Sequence, residues 1–93
     1  MKYILVQQEV EDYDKWKLLF DEHEDRQAAG SKGGVVFRNA DNPNQVTVLL
    51  EWDNLENARA FTGSEDLREA MQRAGVVGPP NVYFLEEVDR PSV

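Results

Sequence analysis

The hydrophobic pattern changes period several times along the chain, and each change marks an element. Lys2–Val10 is rich in β-branched and aromatic residues and reads as a strand. Glu11-Asp12 breaks that run, and Asp12 is suited to cap a helix. Over 13–29 the spacing becomes helical. Tyr13, Trp16, Phe20, His23 and Gln27 recur at three- and four-residue steps and share one face, flanked by Leu19. Asp14, Asp21 and Asp25 fall on the opposite face. Leu18 points away from the stripe, a position suited to a partner. Gly30 is placed to end the helix as a left-handed cap. After a flexible lead-in at 31–34, a second strand is expected over 35–39. The turn-rich Ala40-Asp41-Asn42-Pro43-Asn44 joins it to a third strand over 46–52, which predicts an antiparallel hairpin.

Asp53 followed by Glu56 matches a capping box, and a helix over 54–74 is expected from there. Leu55, Ala58, Phe61 and Thr62 form its first apolar face. Gly63-Ser64 interrupts it, and Ser64 caps a second segment carrying Leu67, Ala70, Met71 and Ala74, which Gly75 stops. The two prolines of 76–80 read as loop, and 81–88 as a last strand. No internal repeat interrupts the order β-α-β-β-α-β. The expected fold is α+β and ferredoxin-like, an antiparallel sheet with helices on one face, in a single domain spanning 1–93.

Strand side chains alternate faces. One phase, Ile4, Val6, Val35, Phe37, Val46, Val48, Leu50, Trp52, Val82 and Phe84, is apolar throughout and is expected under the helices. The other, Tyr3, Leu5, Gln7, Val36, Arg38, Thr47, Leu49, Glu51, Tyr83, Leu85 and Glu87, is mixed where a water-facing sheet is mostly polar. A chain this short buries only about 60–65% of its unfolded surface, so a second copy packed on that face is expected to complete the core as a homodimer.

Composition narrows the chemistry. With no cysteine, disulfides and thiolate metal sites are excluded, and one histidine does not build a zinc site alone. No metal, flavin or heme is expected. The net charge of -8, with no basic stripe, argues against nucleic acid as a partner. The acidic residues are spread along the chain, which suits solubility or a high-salt setting. The chain passes from Met1 directly into a strand and holds no apolar run near the roughly 18 residues that span a bilayer. A cytoplasmic protein with no membrane partner is expected.

The motifs Tyr13-x-x-Trp16-Lys17-x-x-Phe20-x-x-His23, Phe37-Arg38-Asn39, Glu51-Trp52-Asp53, Ala58-x-x-Phe61 and Ser64-x-x-Leu67-x-x-Ala70-Met71 resemble those of the dimeric α+β barrel superfamily. The nearest branch is similar to the antibiotic-biosynthesis-monooxygenase-like proteins, and more narrowly to uncharacterised proteins of this length often described as cyclases. The resemblance covers essentially the whole chain and implies fold more tightly than function. The superfamily includes cofactor-free monooxygenases of polycyclic aromatics, heme-degrading enzymes, polyketide cyclases and muconolactone isomerases. The heme-degrading branch looks to carry a tryptophan and a histidine where this chain has Phe61 and Met71, and an asparagine where it has Gln7 or Gln8. The resemblance therefore does not extend to heme degradation.

His23 is the one side chain with an unperturbed pKa near neutrality, which makes it the candidate acid–base group; a histidine on a buried stripe is more often a hydrogen-bonded core residue. Trp16, Phe20, Trp52, Phe61 and Met71 are candidates to line a pocket for a flat aromatic or polyketide-like ligand, although large apolar residues at this spacing are more often plain core. Arg26 suits either an anionic substrate or a surface pair with Glu22. Arg38, Glu51 and Tyr83 suit a polar network at the dimer face or a second lining. Gly33-Gly34 leads into a strand and so is no phosphate loop. Two functions remain open: a cofactor-independent monooxygenase or cyclase acting on a small aromatic or polyketide-like compound, and a non-catalytic homodimer that binds a small hydrophobic molecule.

Overall fold

In the computed structural model, which describes residues 2–22 and 30–92, β1 (Lys2–Val10) and β3 (Gln45–Trp52) form the central strand pair. Their register sets Ile4 opposite Leu50 and Val6 opposite Val48 on one face, and Leu5 opposite Leu49 on the other. β2 (Ser31–Arg38) flanks β3 and β4 (Val76–Glu86) flanks β1, so the antiparallel sheet runs β2-β3-β1-β4. This is the ferredoxin-like order, with β3 inserted between the strands that α1 connects. The helices are α1 (Tyr13–Phe20), α2 (Leu55–Thr62) and α3 (Glu65–Arg73).

One sheet face carries the core. Ile4, Val6, Val10, Val46, Val48, Leu50 and Trp52 are buried there against Trp16 of α1, Ala58 of α2 and Ala74. At about 25 cal/mol per Å² of apolar surface removed from water, this single layer dominates the favourable side of folding. The helix ends are set locally. The Asp12 side chain accepts from the Asp14 and Lys15 amides at 3.0 and 3.4 Å, as expected of an N-cap. Ser64 accepts from the Leu67 amide at 3.2 Å and starts α3 after the break at Gly63.

Five expectations are corrected. The first concerns β2. Val36 pairs with Val48 and Gly34 with Leu50, so Val36 and Arg38 face the helices while Val35 and Phe37 lie on the open face. Val-Val-Phe is apolar at three successive positions and reads equally well in either phase; the hairpin register decides, and a slip of one residue exchanges every side chain between faces. That register is held by the turn. The Asn39 amide donates to the Gln45 carbonyl at 2.9 Å, and the Asn39 side chain accepts from the Asp41 and Asn42 amides. Arg38, expected at the dimer face, instead lays its guanidinium over the Tyr13 ring at 4.8 Å.

Second, β2 begins at Ser31, four residues earlier than expected, because the glycines pair with Glu51 and Leu50. Third, β4 begins at Val76. It is an edge strand, and its Gly78-Pro79-Pro80 falls where the pairing with β1 shifts register between Gln7 and Glu9, a place that tolerates missing donors. Fourth, α2 is capped by Asn54 and not by an Asp53–Glu56 box. The Asn54 side chain accepts from the Asn57 amide at 2.8 Å, and the Asp53 amide that Glu56 was to satisfy donates to Gly30 instead. Fifth, α1 stops at Phe20 with Asp21 as its cap; the expectation for 23–29, including its Gln27 and Ala29 positions, lies outside the described residues.

The open face is more apolar than expected once Val35 and Phe37 join it. They are 48% and 52% exposed, alongside Tyr83 at 48% and Leu85 at 39%. At its rim Arg90 bonds Glu87 at 2.5 Å and the Tyr3 hydroxyl donates to Glu87 at 3.3 Å. The Arg90 guanidinium holds the Glu87 carboxyl below the usual carboxylate range. Leu18, 73% exposed, points to solvent as the pattern indicated.

Gly34 has no room for a side chain, since a Cβ there would run into the Leu49 carbonyl oxygen. Gly34→Ala is expected to destabilise the protein by roughly 1–3 kcal/mol, as overpacking does, although alanine ordinarily costs less than glycine in a strand. Urea unfolding measures it; an unchanged midpoint would contradict the close pairing of β2 on β3.

Candidate functional site

The three described helices cover the buried sheet face incompletely. Between them lies a cleft of about 1310 Å³. That exceeds the range of roughly 300–1,000 Å³ typical of small-molecule pockets, as expected of a site still open to solvent on one side. Its floor is the helix side of the sheet, where Ile4, Val6, Gln8, Val48, Leu50 and Val82 project by alternation. One wall is α1, and the other is formed by α2 and α3.

Of the residues singled out from the sequence, Trp16, Phe20, Phe61 and Met71 all line this cleft. Trp16 is buried, and Phe20 stacks on it with ring centroids 4.8 Å apart and planes 20° apart. Helical spacing of four residues brings the two rings together. Phe61 enters from α2. Trp52 is not part of the lining; it is 2% exposed and packs against Phe61 at 4.9 Å, so it supports the wall from behind. His23 and Arg26 lie outside the described residues. Arg38, Glu51 and Tyr83 are not in the cleft: Arg38 is on Tyr13, while Glu51 and Tyr83 are on the open face, opposite Tyr3 and Leu5.

Two polar groups in the cleft were not singled out as site residues from sequence. Gln8 was noted only as a departure from another branch. Its Oε1 is out of contact with water and has no hydrogen-bond partner. Leaving such an acceptor unpaired costs roughly 1–3 kcal/mol, a cost that a ligand hydroxyl would remove if the amide turned toward the cleft. The signal was present in the alternation: Gln8 shares the phase of Ile4 and Val6 and interrupts that apolar run before Val10. The second is Asn57. Its Nδ2 donates to both carboxylate oxygens of Asp53, at 3.2 and 3.1 Å. Asp53 also accepts from the Asn54 amide at 2.7 Å and is thereby fixed at the start of α2. The Asn57 amide is therefore held with its nitrogen toward Asp53, which leaves its oxygen as the acceptor presented to a ligand. Four-residue spacing from Asp53 was its only trace in the sequence.

The rim is charged on both banks. Asp21 and Glu22 lie at the end of α1, and Asp66, Arg68 and Arg73 on α3. Lys17 pairs with Asp21 at 2.5 Å. Among the described residues no group of three metal-ligating side chains converges. The cleft as described offers shape, aromatic surface and two amides.

A four-stranded antiparallel sheet with its helices on one face and a cleft between them defines the class: a ferredoxin-like α+β domain of the dimeric α+β barrel superfamily. The antibiotic biosynthesis monooxygenase profile matches residues 11–73, which include both walls of the cleft, and the chain belongs to that family. No curated protein sequence is significantly similar. Solved structures share the fold at low identity. A candidate antibiotic biosynthesis monooxygenase from Bordetella bronchiseptica superposes with a TM-score of 0.75 at 18% identity, over 94% of this chain and 96% of that one. SnoaB from Streptomyces nogalater, a cofactor-independent oxygenase, superposes with a TM-score of 0.76 at 10% identity, over 99% and 97%. A conserved protein from Methanosarcina mazei Go1 gives 0.70 at 14%, over 94% and 92%. Among the described residues, no helix is long and apolar enough to cross a membrane.

Replacing Asp53 by alanine is expected to free the Asn57 amide and remove a bond from the Asn54 amide, costing about 0.5–1.5 kcal/mol, the net worth of a hydrogen bond. Thermal unfolding measures the loss, and nitrogen-15 spectra should show the Asn57 side-chain amide signals shifting. Unmoved signals would show that Asp53 does not orient Asn57.

Proposed function

We propose that the protein is a monooxygenase needing no cofactor, or a cyclase, that takes a flat, hydroxylated aromatic or polyketide-like compound into the cleft. The observation that carries this reading is the pairing of an aromatic wall, Trp16 stacked on Phe20, with a buried and unpartnered acceptor, Gln8 Oε1, in the floor. A planar phenolic ligand satisfies both at once when the Gln8 amide turns toward the cleft: its ring lies on the aromatic wall and its hydroxyl donates to Gln8. Family membership and the shared fold of SnoaB support an oxygenase.

The chemistry asks little of the protein. Loss of a proton from the CH₂ of an anthrone-type substrate leaves a delocalised carbanion rich enough in electrons to reduce dioxygen. One electron passes to oxygen, the radicals combine as a C–O bond, and the hydroperoxide loses water to give the ketone. The balance is R₂CH₂ + O₂ → R₂C=O + H₂O, with the substrate as sole reductant. The protein has to bind, orient and take one proton. We assign the proton to His23, three positions beyond Phe20 in the sequence, and the orientation to Gln8 and Asn57.

The test is oxygen uptake with dithranol, an anthrone with two phenols, at neutral pH. One O₂ consumed per 1,8-dihydroxyanthraquinone formed, well above the spontaneous rate, is the expected result. His23→Ala should lower the rate by about tenfold or more, since acid–base groups contribute roughly 10²–10⁴, while His23→Gln should keep the fold. Oxygen uptake equal to that of buffer would sink the oxygenase reading. If the anthraquinone product still quenched tryptophan emission, the chain would be the non-catalytic binding protein.

The proposed working unit is a homodimer closed through the open sheet face. Val35, Phe37, Tyr83 and Leu85 are each more than a third exposed there, and burying what remains exposed is worth roughly half of the 1.5–3 kcal/mol that full burial of such a side chain contributes. Light scattering at micromolar concentration should report about twice the mass of the chain. Leu49→Asp, at the centre of that face, should yield monomers or unfolded chains; an intact dimer would place the interface elsewhere.

A further inference from the structure

Of the described helices, α1 buries Trp16 and α2 buries Ala58, and α3 alone has no buried residue. Its packing is confined mainly to β4. Yet its inner face, Leu67, Ala70 and Met71, is apolar and half-buried over the open cleft. The Gly63 amide donates back to Arg59, the Ser64 amide to Phe61, and the chain then restarts with Ser64 as cap. Gly63 therefore separates two helical bodies that share no continuous hydrogen-bond ladder.

Charges of both signs rim the mouth: Asp21 and Glu22 close the α1 side, and Arg68 and Arg73 stand on α3 beside Asp66. Among the described residues the ion pairs are Lys2–Glu86, Lys17–Asp21 and Arg90–Glu87, and none of them includes Glu22, Arg68 or Arg73. Glu22 is exposed, as are both arginines.

We propose that α3 is a lid hinged at Gly63, which closes over a flat ligand in the cleft and is latched by Arg68 and Arg73 against Glu22. This rests on the reading of the cleft as a ligand site. Closure would bring Leu67 and Met71 onto the second face of a ring whose first face lies on Trp16 and Phe20. It would also remove water from the cleft, which strengthens the hydrogen bonds of Gln8 and Asn57 to the ligand. The inner face of α3 would gain the burial that it lacks in the open form. Each latch pair is exposed, so the latch trims the opening rate and leaves most of the affinity to ring contact.

The test uses 1,8-dihydroxyanthraquinone as a probe that does not turn over, with hydrogen exchange of backbone amides and stopped-flow quenching of tryptophan emission. Without probe, the amides of α3 should exchange at least about tenfold faster than those of α2, as a locally opening unit does. With saturating probe, α3 should become protected by a larger factor than α2. Glu22→Gln, and separately Arg68→Gln with Arg73→Gln, should each speed probe release by about two- to fivefold, as expected of exposed ion pairs. The combination of all three should be no faster than either. Probe binding that leaves α3 exchange unchanged overturns the lid and spares the site. Equal exchange of α3 and α2 without probe overturns the hinge, and strictly additive effects on release overturn the latch. Absence of any quenching removes the site, and the lid with it.

Discussion

Among the described residues, three helices of eight, eight and nine residues cover one face of a four-stranded sheet whose other face is also largely apolar at its centre. Strand alternation makes this unavoidable: on β1 alone, Ile4 and Val6 point one way while Tyr3 and Leu5 point the other. The helices seal the centre of their face, where Trp16, Ala58 and Ala74 meet Val46, Val48 and Trp52. They do not seal its whole width. The strip left between them is the cleft, and none of these three helices packs on the open face. The cleft and the surface proposed for pairing are thus two consequences of where the described helices lie.

The same placement explains where polarity is tolerated. Gln8 occupies a core-phase position, and an apolar side chain there would pack better against Val46, its cross-strand neighbour. Its unpaired oxygen is a local violation of the rule that buried acceptors are bonded. Violations of that kind, where every neighbouring position obeys the rule, mark places shaped by something other than stability. Asn57 shows the complementary device, a cleft amide whose orientation is fixed from outside by a carboxylate at the helix start.

Much of the fold was legible because long-range order here follows from local chemistry. Asp12, Gly63 and Ser64 marked their helix ends, and the β1 and β3 phases sorted correctly because each has polar residues that break the symmetry between faces. β2 did not sort. Gly34, Val35, Val36 and Phe37 contain no polar residue to orient them, so their facing is decided by the bonds that Asn39 and Asn42 make in the turn. β4 hid its first half because Pro79 and Pro80 argue against any strand except an edge strand at a register shift, and edge position is a property of the whole sheet. The site was partly legible. Aromatic spacing picked out Trp16, Phe20 and Phe61, but periodicity cannot tell a residue that lines a cleft from one behind it, as Trp52 shows. Asn57 acquired its role from a contact four residues away that a different capping arrangement would have removed.

The two faces of the sheet are coupled through the strands they share. β1 sends Leu5 to the open face between Ile4 and Val6, which floor the cleft, and β3 sends Leu49 outward between Val48 and Leu50. Anything that covers the open face therefore stiffens the backbone that positions Gln8. Net charge opposes a like copy, at -8 per chain. The arrangement of that charge matters more than its sum. The centre of the open face, Leu5, Val35, Phe37, Leu49 and Tyr83, is uncharged, while Glu51 and Glu87 stand toward its rim, with Glu87 already paired to Arg90. Repulsion between exposed rim charges is screened over about 8 Å at physiological ionic strength, whereas the apolar centre is not weakened by salt. For the proposed pairing, an acidic surface of this layout would oppose two copies mainly at the edge of their open faces.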